Sequence, residues 1–353
     1  ILQYFLPFVN EIFAKGSSCF SSLDGYNEII KICHCSLSLR NQFAKAAAAI
    51  RFLKMEKVEK FKRYKGEKHL MEIRHVLGSP YVAVAPTSLL PIYKLNDTDI
   101  VLLDTGYAKL DRSGLTHLLE DNGFHLKGIL CSHAHFDHTG NVRYLQQRYG
   151  AIAAAQIIEA GISVNPDAYR ANYVALTYGR SRAYFLEECF TADVIISADA
   201  TELDFCGVKF GILQLPGHSA GHIGIITPDG VAHLGDCLIS RSEIEGAKLP
   251  TSMFIARDLE SKRSLYALHC PAYIVAHKEV LTDITDLIGE NIRFLESKAQ
   301  EMLDCLQDGM TFDEWIYAFC KRENVRTHNL LKFSVAERNF SNFADWMEDE
   351  GTV

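Results

Sequence analysis

The pattern of apolar and polar positions predicts strands along most of the chain and helices toward its end. Short apolar runs bounded by turn residues recur through the middle of the sequence, for example at 100–103, 126–131 and 231–234. Such runs are typical of buried strands. Segments between them, at 113–121 and 140–149, are closed by glycines and are predicted to be helical. Further strands are predicted at 72–77, 81–86, 92–95, 194–197, 207–215, 223–227 and 273–276, the last of which we expect to close the strand pattern.

A helical period replaces the strand pattern near residue 283. Apolar residues then recur at the spacing of one helix face: Ile284, Leu287, Ile288, Ile292, Leu295, Ala299, Met302, Leu303 and Leu306. A helix is also predicted at 258–268, and short helical segments at 310–353, where Thr311 resembles a helix start. The sequence therefore predicts a mixed α/β body at 71–282 and a helical extension at 283–353.

Charge divides the chain at about residue 70. Residues 1–70 carry 12 Lys and Arg against 6 Asp and Glu, whereas residues 71–353 carry 24 against 38, so the net charges are +6 and −14. The basic part can be interpreted as a poorly ordered leader, or residues 41–65 as an amphipathic helix for a partner or membrane surface. A third hypothesis is a translated upstream region, because Lys65-Gly66-Glu67 can be encoded by a purine-rich ribosome-binding sequence before Met71.

The composition bounds the class of protein. With 48% apolar and 23% charged residues, the 353-residue chain can bury a sizeable core, which excludes wholesale disorder and collagen-like repeats. Its net charge of −8 disfavours general nucleic-acid binding, and no apolar run reaches 18 residues, so no membrane span is expected. The 10 cysteines are scattered, which favours a reducing, cytoplasmic setting. Cys33-His34-Cys35 lacks a second pair at ligand spacing, so we interpret it as a chance occurrence.

A dense group of metal-binding side chains follows the predicted strand at 126–131. The segment His133-Ala134-His135-Phe136-Asp137-His138 places three imidazoles and a carboxylate within six residues. Packed together, these groups would repel one another on protonation and would lose their hydration. A divalent cation removes both problems, because neutral imidazole and carboxylate are its natural ligands. His133 and His135 can converge on one ion, and Asp137 and His138 can turn toward a second.

Three more motifs place ligand-type side chains directly after apolar strands. They are Pro216-Gly217-His218-Ser219-Ala220-Gly221-His222, Gly235-Asp236 and Ala276-His277. A sheet can in this way present several ligands at one edge while its backbone stays rigid. The sequence thus predicts a two-metal site assembled from separate parts of the chain.

The order of these motifs resembles the metallo-β-lactamase superfamily. The resemblance covers about residues 72–280 and rests on Asp104-Thr105-Gly106, His133-x-His135-x-Asp137-His138, Pro216-Gly217-His218, Gly235-Asp236 and His277. It implies a four-layer αββα sandwich, of the α+β class, with a binuclear site at one edge of the sheets. The extension is similar to the small winged-helix-type domain of some members, including β-lactamase-like endoribonucleases.

The resemblance also implies a role for each ligand. The first ion would be bound by His133, His135 and His218, the second by Asp137, His138 and His277, and Asp236 would bridge the two. We expect two divalent ions, with zinc favoured and iron or manganese as alternatives. Asp104 would support the site, although a turn-forming aspartate is the alternative. His135 stands where the oxygen-reducing di-iron branch has glutamate, which favours hydrolysis over redox chemistry.

We expect two catalytic residues, Asp137 and His222. Asp137 would accept a hydrogen bond from the nucleophile and orient it, and His222 would face the substrate or support the ligands, with core packing as the alternative. Ser132, Cys131 and Cys237 lie beside ligands in the sequence, and we interpret them as structural and packing residues.

The ligand set favours a hydrolase in which a hydroxide between two metal ions cleaves a small ester, thioester or lactone. A phosphodiesterase or endoribonuclease is the alternative, and a vestigial binding protein is a third. Residues 309–353 carry 8 acidic and 5 basic residues, which disfavours phosphate binding by the extension. We therefore expect a small-molecule substrate and no membrane partner, with nucleic acid disfavoured and a homodimer left open. A predicted helical insertion at 165–190 could shape the substrate mouth or simply pack, through Tyr173, Tyr178, Arg180, Arg182 and Tyr184.

Overall fold

Two mixed β-sheets form the centre of the part of the chain that the structure describes. In the computed structural model, which describes residues 71–173 and 178–353, the first sheet runs from β1 to β7 and the second has the order β13-β12-β11-β10-β9-β8. The strands of the first sheet are β1 (Glu72–His75), β2 (Pro80–Val84), β3 (Leu89–Lys94), β4 (Asp99–Leu103), β5 (His125–Leu130), β6 (Ile152–Gln156) and β7 (Val194–Ile196). Those of the second are β8 (Glu202–Phe205), β9 (Val208–Gln214), β10 (Ile223–Ile226), β11 (Ala232–His233), β12 (Tyr273–Val275) and β13 (Glu279–Leu281).

Helices flank both sheets and make up the carboxyl-terminal part of the chain. The first half contains α1 (Ala108–Asp121), α2 (Phe136–Thr139), α3 (Val142–Tyr149), α4 (Ile157–Ser163), α5 (Pro166–Tyr173) and α6 (Tyr178–Phe185). The second half contains α7 (Arg241–Gly246), α8 (Ile255–Ser264), α9 (Thr285–Leu303), α10 (Phe312–Arg322) and α11 (Leu330–Asp349). In the described part of the chain, no helix has both the length and the apolar content that a bilayer span needs.

Strand β4 shows how the layers stack. Its Ile100 and Leu102 belong to the core that the first sheet shares with α1 and α3, whereas Val101 and Leu103 pack against Phe210 between the two sheets. Successive side chains of a strand point to opposite faces. Because both faces of β4 are buried from residue 100 onward, residues 100–103 are all apolar and do not alternate with polar ones.

The outer face of the second sheet is covered by α9 and by the turn that joins α8 to β12. Leu287 and Ile288 of α9 lie in one core with Leu234 and Val275, next to β11 and β12. The layers are therefore helix, sheet, sheet and helix. This arrangement confirms the predicted α+β class and the αββα sandwich.

Parallel pairing brings the motif-bearing loops to one end of the sandwich. Strand β4 runs parallel to β5, and β11 runs parallel to β12. Since parallel strands present their carboxyl ends at the same sheet edge, the segments after these four strands converge: Asp104, the His133 segment, Asp236 and His277. A hydrogen bond of 2.7 Å from Leu89 N to Ala276 O joins the two sheets at this end.

The carboxyl-terminal helices share an aromatic core. The ring of Phe340 in α11 lies 4.9 Å from that of Trp315 and 5.5 Å from that of Phe319 in α10, between centroids. Trp315 Nε1 donates to Met302 O of α9 over 2.7 Å. The same core includes Ile255 of α8, so the extension packs directly on the body. The helical extension predicted from the sequence is confirmed, and all regular structure described within it is helical.

Three strands differ from the expectation. Strand β6 was not expected, because its alanines favour strands weakly, yet it is central and pairs with both β5 and β7. Strand β8 was not expected either, because Glu202 and Asp204 alternate with its apolar residues. The expectation that 273–276 closes the strand pattern is wrong, because β13 follows and pairs antiparallel with β12. Lys278 makes the tight turn between them with a φ of 85°.

Two helices are also longer than expected. Helix α1 begins at Ala108 and not at residue 113 as predicted. In its first turn, Tyr107 N donates a hydrogen bond to Asp111 Oδ2. Helix α11 runs for 20 residues, although the sequence suggested short segments. Its buried face packs against α8 and α10, and tertiary packing of this kind supports helices beyond their local propensity.

The predicted division of the chain stays a prediction. Residues 1–70, with the interpretations given for them and the Cys33-His34-Cys35 segment, lie outside the described residues. Residues on both sides of the predicted boundary at 282/283 share one core, for example Val275 and Leu287. The cytoplasmic setting and the homodimer also stay predictions.

We expect Phe340→Ala to lower the free energy of unfolding by roughly 3–5 kcal/mol, because it empties the centre of the aromatic core. Phe333→Ala is the matched control on the same helix, since that ring is 41% exposed and its loss should cost less than about 1 kcal/mol. Urea unfolding followed by circular dichroism measures both. Equal losses for the two variants would contradict this account of the core.

Candidate metal centre

The fold brings all seven predicted ligands together. They fall into two groups, His133, His135, His218 and Asp236 in one, and Asp137, His138 and His277 in the other. Within each group, the nitrogen or oxygen atoms that could bind a cation lie within 4.8 Å of one another. Three different loops supply the first group, so this arrangement is a consequence of tertiary structure.

The first group is almost closed to solvent. The side chain of His133 is fully buried, and His135 and His218 are each 7% exposed. His218 Nε2 lies 2.8 Å from His135 Nδ1, and the rings of His133 and His135 are 4.5 Å apart between centroids. Three imidazoles at these separations form a concave set of nitrogen donors.

The second group is more open. His138 is buried, but Asp137 and His277 have side chains that are 32% and 18% exposed. His277 Nε2 lies 3.8 Å from Asp137 Oδ2, and His277 Nδ1 lies 3.2 Å from Thr87 O. This side of the site therefore faces the cavity from which a substrate would approach.

Asp236 lies between the two groups. Its Oδ1 is 3.3 Å from Nε2 of His138 and 3.3 Å from Nε2 of His277, while its Oδ2 is 3.4 Å from Nε2 of His218. Each carboxylate oxygen thus faces a different group. This is the arrangement expected of a carboxylate shared by two cations, which is the role that the resemblance implied.

Asp104 supports both groups from beneath. Its Oδ1 accepts from Ser132 N over 2.8 Å, and its Oδ2 lies 2.7 Å from Ser132 Oγ, 2.9 Å from His138 Nδ1 and 2.8 Å from His233 Nε2. Burial alone would raise the pKa of Asp104, but the hydrogen bonds from His138 and His233 hold it well below its usual range. The carboxylate is therefore a fixed negative charge. The supporting role is favoured over that of a simple turn residue.

This network also determines which nitrogens face the site. Ser132 Oγ donates to Asp104, so it accepts from His133 Nδ1 at 3.0 Å and leaves His133 Nε2 with a lone pair. His138 is oriented in the same way by its Nδ1 contact with Asp104. Orientation of a ligand ring through its second nitrogen is typical of histidine metal sites.

The electrostatics of the site fit a divalent cation. Burial and the neighbouring imidazoles lower the pKa of His133 well below its usual range, so this ring is neutral. Among the described residues, its Nε2 has no hydrogen-bond partner although it is buried. Asp236 raises the pKa of His277 to about 9 despite burial, so without a cation that ring carries a proton. A metal ion would replace this proton and give the buried lone pair a partner.

Glu159, which was not among the residues predicted from the sequence, ties two ligand loops together. Its Oε2 accepts from Ala134 N over 2.7 Å, and its Oε1 accepts from Ser219 Oγ over 2.8 Å and from Gly221 N over 2.7 Å. The residue is 1% exposed. Nothing in its local sequence separates it from a surface glutamate on a helix, so only the fold could identify it.

His233 was missed as well, although the sequence contains a signal for it. It is the polar residue in the apolar run 231–234, and it is fully buried with Nε2 on Asp104. A histidine inside a buried strand needs a hydrogen-bond partner. That requirement, together with Asp236 three residues later, could have marked His233 as part of the site.

Two glycines allow the ligand loops to approach their supports. Gly217 has a φ of 144°, and a Cβ there would lie 2.2 Å from Asp258 Cα. Gly235 has a φ of 51°, and a Cβ there would lie 2.6 Å from His222 Nε2. Any side chain at either position would displace His218 or Asp236, which are the next residues in the chain.

The remaining candidates have structural surroundings. His222 is fully buried and its Nε2 accepts from Asp236 N over 3.0 Å, so it supports the shared carboxylate, and its catalytic role stays a prediction. Cys131 and Cys237 are buried in the cores, and burial raises the pKa of Cys237 to about 12. Arg180 and Arg182 are exposed on α6. The side chains of Tyr173, Tyr178 and Tyr184 lie outside the described ones.

Comparison with known proteins places the chain in a family. The sequence profile of the Metallo-beta-lactamase superfamily matches residues 92–277. A metallo-beta-lactamase family protein from Thermus thermophilus superposes with a TM-score of 0.58 at 18% identity, covering 80% of this chain and 93% of its own. A beta-lactamase domain protein from Burkholderia ambifaria gives a TM-score of 0.57 at 14% identity, with coverage of 81% and 91%. At these identities the two structures show the fold alone.

The curated relatives carry the name hydroxyacylglutathione hydrolase. The protein GloC from Haemophilus influenzae is 30% identical over 128 residues, which is 35% of this chain and 55% of that protein. The protein from Pelagibacter ubique is 25% identical over 207 residues, covering 53% of this chain and 74% of its own. The chain spans about half the length of the first curated relatives that it matches, 55% and 44%.

We expect Asp236→Ala to reduce bound zinc to about half of the wild-type content or less, because both ligand groups lose the carboxylate that they share. Asp308→Ala, which removes an exposed carboxylate distant from the ligands, is the control. Mass spectrometry of the metal content after zinc loading and dialysis measures both. Equal content in the two variants would contradict the shared position of Asp236.

Glu159→Gln should lower the free energy of unfolding by about 1–3 kcal/mol, because an amide nitrogen must then face a main-chain N–H that loses its acceptor. Zinc should also be lost more readily to a chelator, since the loops of His135 and His218 are no longer tied. Glu260→Gln, an exposed change on α8, is the matched control. Urea unfolding and chelator competition would show no difference between the variants if Glu159 had no such role.

Proposed function

This chain belongs to the metallo-β-lactamase superfamily, and on that basis we propose that it is a metal-dependent hydrolase that cleaves a thioester. The observation that carries the proposal is the position of Asp236, whose two oxygens face two groups of ligands. A single structural metal would need only one group. Two groups that share a carboxylate at the floor of an open cavity support a binuclear catalytic site.

The ligands divide as the sequence suggested. One divalent ion would be held by His133, His135 and His218, the other would be held by Asp137, His138 and His277, and Asp236 would bind both. Zinc is proposed as the ion because histidine and carboxylate side chains are ligands that suit it. When bound, such ions make a water molecule nucleophilic at neutral pH and polarise the bond to be cleaved. Neutral imidazoles and two buried carboxylates, Asp104 and Asp236, leave the site able to hold this charge.

The residues of the chain supply position and shape. Asp137 is the ligand-group carboxylate with the most exposed side chain, and it lines a cavity of about 660 Å³ together with His277 and Thr87. This exposure supports the proposal that Asp137 accepts a hydrogen bond from an attacking water and orients it. Lys278 also lines this cavity, and its Nζ donates to Pro86 O over 2.6 Å, which narrows the approach beside His277.

A thioester is proposed over other substrates because of the relatives. Proteins named hydroxyacylglutathione hydrolase match 35% and 40% of this chain. The cavity volume falls within the range of roughly 300–1,000 Å³ that encloses small ligands. Esters and lactones present the same carbonyl to the site and are the next candidates. A small-molecule substrate is thus proposed, with no part assigned to a membrane.

We expect zinc-loaded protein to hydrolyse S-acetyl-N-acetylcysteamine, to lose this activity with a chelator, and to regain it with zinc. His133→Ala should lower kcat/KM by about a hundredfold or more, because a ligand ring is lost. His117→Ala, an exposed histidine on α1, is the control. Lactones and bis(p-nitrophenyl) phosphate complete the panel. Turnover of the phosphate ester without the thioester would reassign the protein to the phosphodiesterase class.

A further inference from the structure

A second cavity adjoins the metal centre and lies outside the group of metal ligands. It has a volume of about 620 Å³ and is bounded by α11, the 246–253 loop, residues 324–326 and the side chains of Asn172 and Phe185. We call it the side chamber. It shares five lining residues with the cavity above the ligands: His135, Phe136, Leu249, Thr251 and Val335. A substrate cleaved at the metal centre could therefore extend past His135 into the side chamber.

The wall between the two cavities is anchored to a ligand loop. Gly217 O accepts from Met253 N over 2.8 Å and from Phe254 N over 3.1 Å, immediately before His218. On the other side, Asn342 Nδ2 of α11 donates to Ser252 O over 2.7 Å. The side chamber thus has a defined position relative to the metal centre, because one run of hydrogen bonds connects them.

The charge of the side chamber is opposite to that of the body. Its lining contains four cationic residues, Lys248, Arg326, Lys332 and Arg338. Among the described residues, the lining contains no aspartate or glutamate. Residues 71–353 carry a net charge of −14, so a lining without any carboxylate is not expected from composition. Arg326 and Lys332 have no hydrogen bond or ion pair from their side chains within the described part of the chain. These two cations are available to a ligand.

Between the cations, the side chamber is apolar. Phe136, Leu249 and Val335 also line the cavity above the ligands, and Phe185, Met253 and Leu331 complete the apolar part of the chamber lining. Such walls suit an uncharged or apolar arm, whereas several cations without a carboxylate suit a group with more than one negative charge and no positive charge. A zwitterionic peptide such as glutathione fits less well, because its ammonium group would find no anionic partner in this lining.

We propose that the side chamber binds the thiol portion of the substrate, an uncharged arm that ends in one or more phosphate groups. This proposal rests on the proposed function and names its substrate class as acyl thioesters of phosphate-terminated thiols. In the reaction, water adds to the thioester carbonyl and the C–S bond breaks. The sulfur takes one proton of the water and leaves as the thiol, and the acyl group leaves as the carboxylate while the second proton passes to solvent. The chamber residues hold the thiol and take no part in bond breaking.

Binding without turnover is the first test. The S-ethyl thioethers of 4′-phosphopantetheine and coenzyme A cannot be hydrolysed, and calorimetry should show both to bind more tightly than S-ethylglutathione. Lys332→Glu and Arg326→Glu should each weaken this binding by roughly tenfold to a hundredfold, as loss of a charge-assisted hydrogen bond predicts. Lys321→Glu makes the same charge change on α10 outside the chamber lining and should have little effect.

Turnover is the second test and separates the two proposals. S-acetyl-N-acetylcysteamine lacks the phosphate, so its kcat/KM should be equal in wild type, Lys332→Glu and Lys321→Glu, whereas the KM for acetyl-4′-phosphopantetheine should rise only in Lys332→Glu. Thermal unfolding confirms that each variant is folded. If wild type hydrolyses no thioester, the proposed function fails, but the binding experiment still tests the chamber.

Three results would overturn the inference. One is equal binding of the glutathione and phosphopantetheine thioethers by wild type. Another is an equal effect of Lys332→Glu and Lys321→Glu. The third is that Lys332→Glu loses binding to single-stranded RNA, measured by fluorescence anisotropy, while its thioester selectivity is unchanged. That result would assign these cations to binding of a nucleic acid. If phosphate-terminated thioethers bind more tightly than the glutathione thioether and only Lys332→Glu weakens this binding, the inference is supported. A preference between the coenzyme A and phosphopantetheine compounds would then identify which of the two thiols the substrate carries.

Discussion

Burial of several imidazoles around one carboxylate is the constraint on which the rest of this structure depends. His133, His138 and His218 lie within a few ångströms of Asp236, and burial prevents water from solvating any of them. Protonation of all the rings would create strong repulsion, and an unpaired buried lone pair is itself costly. The donor set is stable only when a positive charge is shared among its members. The requirement for a cation thus follows from the packing of the chain.

The protein meets this constraint by making the surrounding scaffold rigid. Asp104 orients His138 directly and His133 through Ser132, and Glu159 fixes the loops that carry His135 and His218. Neither carboxylate needs to touch a cation to matter, because each satisfies buried donors that would otherwise be free to move. The scaffold itself rests on the sheet edges, where β4, β5, β11 and β12 all end. A site made of loops is therefore as well positioned as one made of strands.

The distribution of charge in space differs from its distribution along the chain. The extension has an excess of acidic residues, and on that ground the sequence disfavoured a role in phosphate binding. Three of the five basic residues at 309–353 nevertheless line one chamber, Arg326, Lys332 and Arg338, while the acidic side chains of this segment lie elsewhere. A ligand responds to the local field within about 10 Å, since more distant charges are screened. Net charge over a segment is thus a weak guide to what that segment binds.

The sequence by itself determined the elements that depend on local chemistry. Apolar runs such as 100–103 marked strands buried on both faces, the helical spacing after residue 283 marked the extension, and the clustered histidines marked the ligands before any contact was known. The tertiary structure alone decided what depends on distant partners. The alanine-rich β6 is a strand because β5 and β7 pair with it, and Glu159 differs from any surface glutamate only because two ligand loops end on it. The side chamber exists because α11 is held against the 246–253 loop. The spacing of residues along the chain does not reveal a contact between segments that are so far apart in sequence.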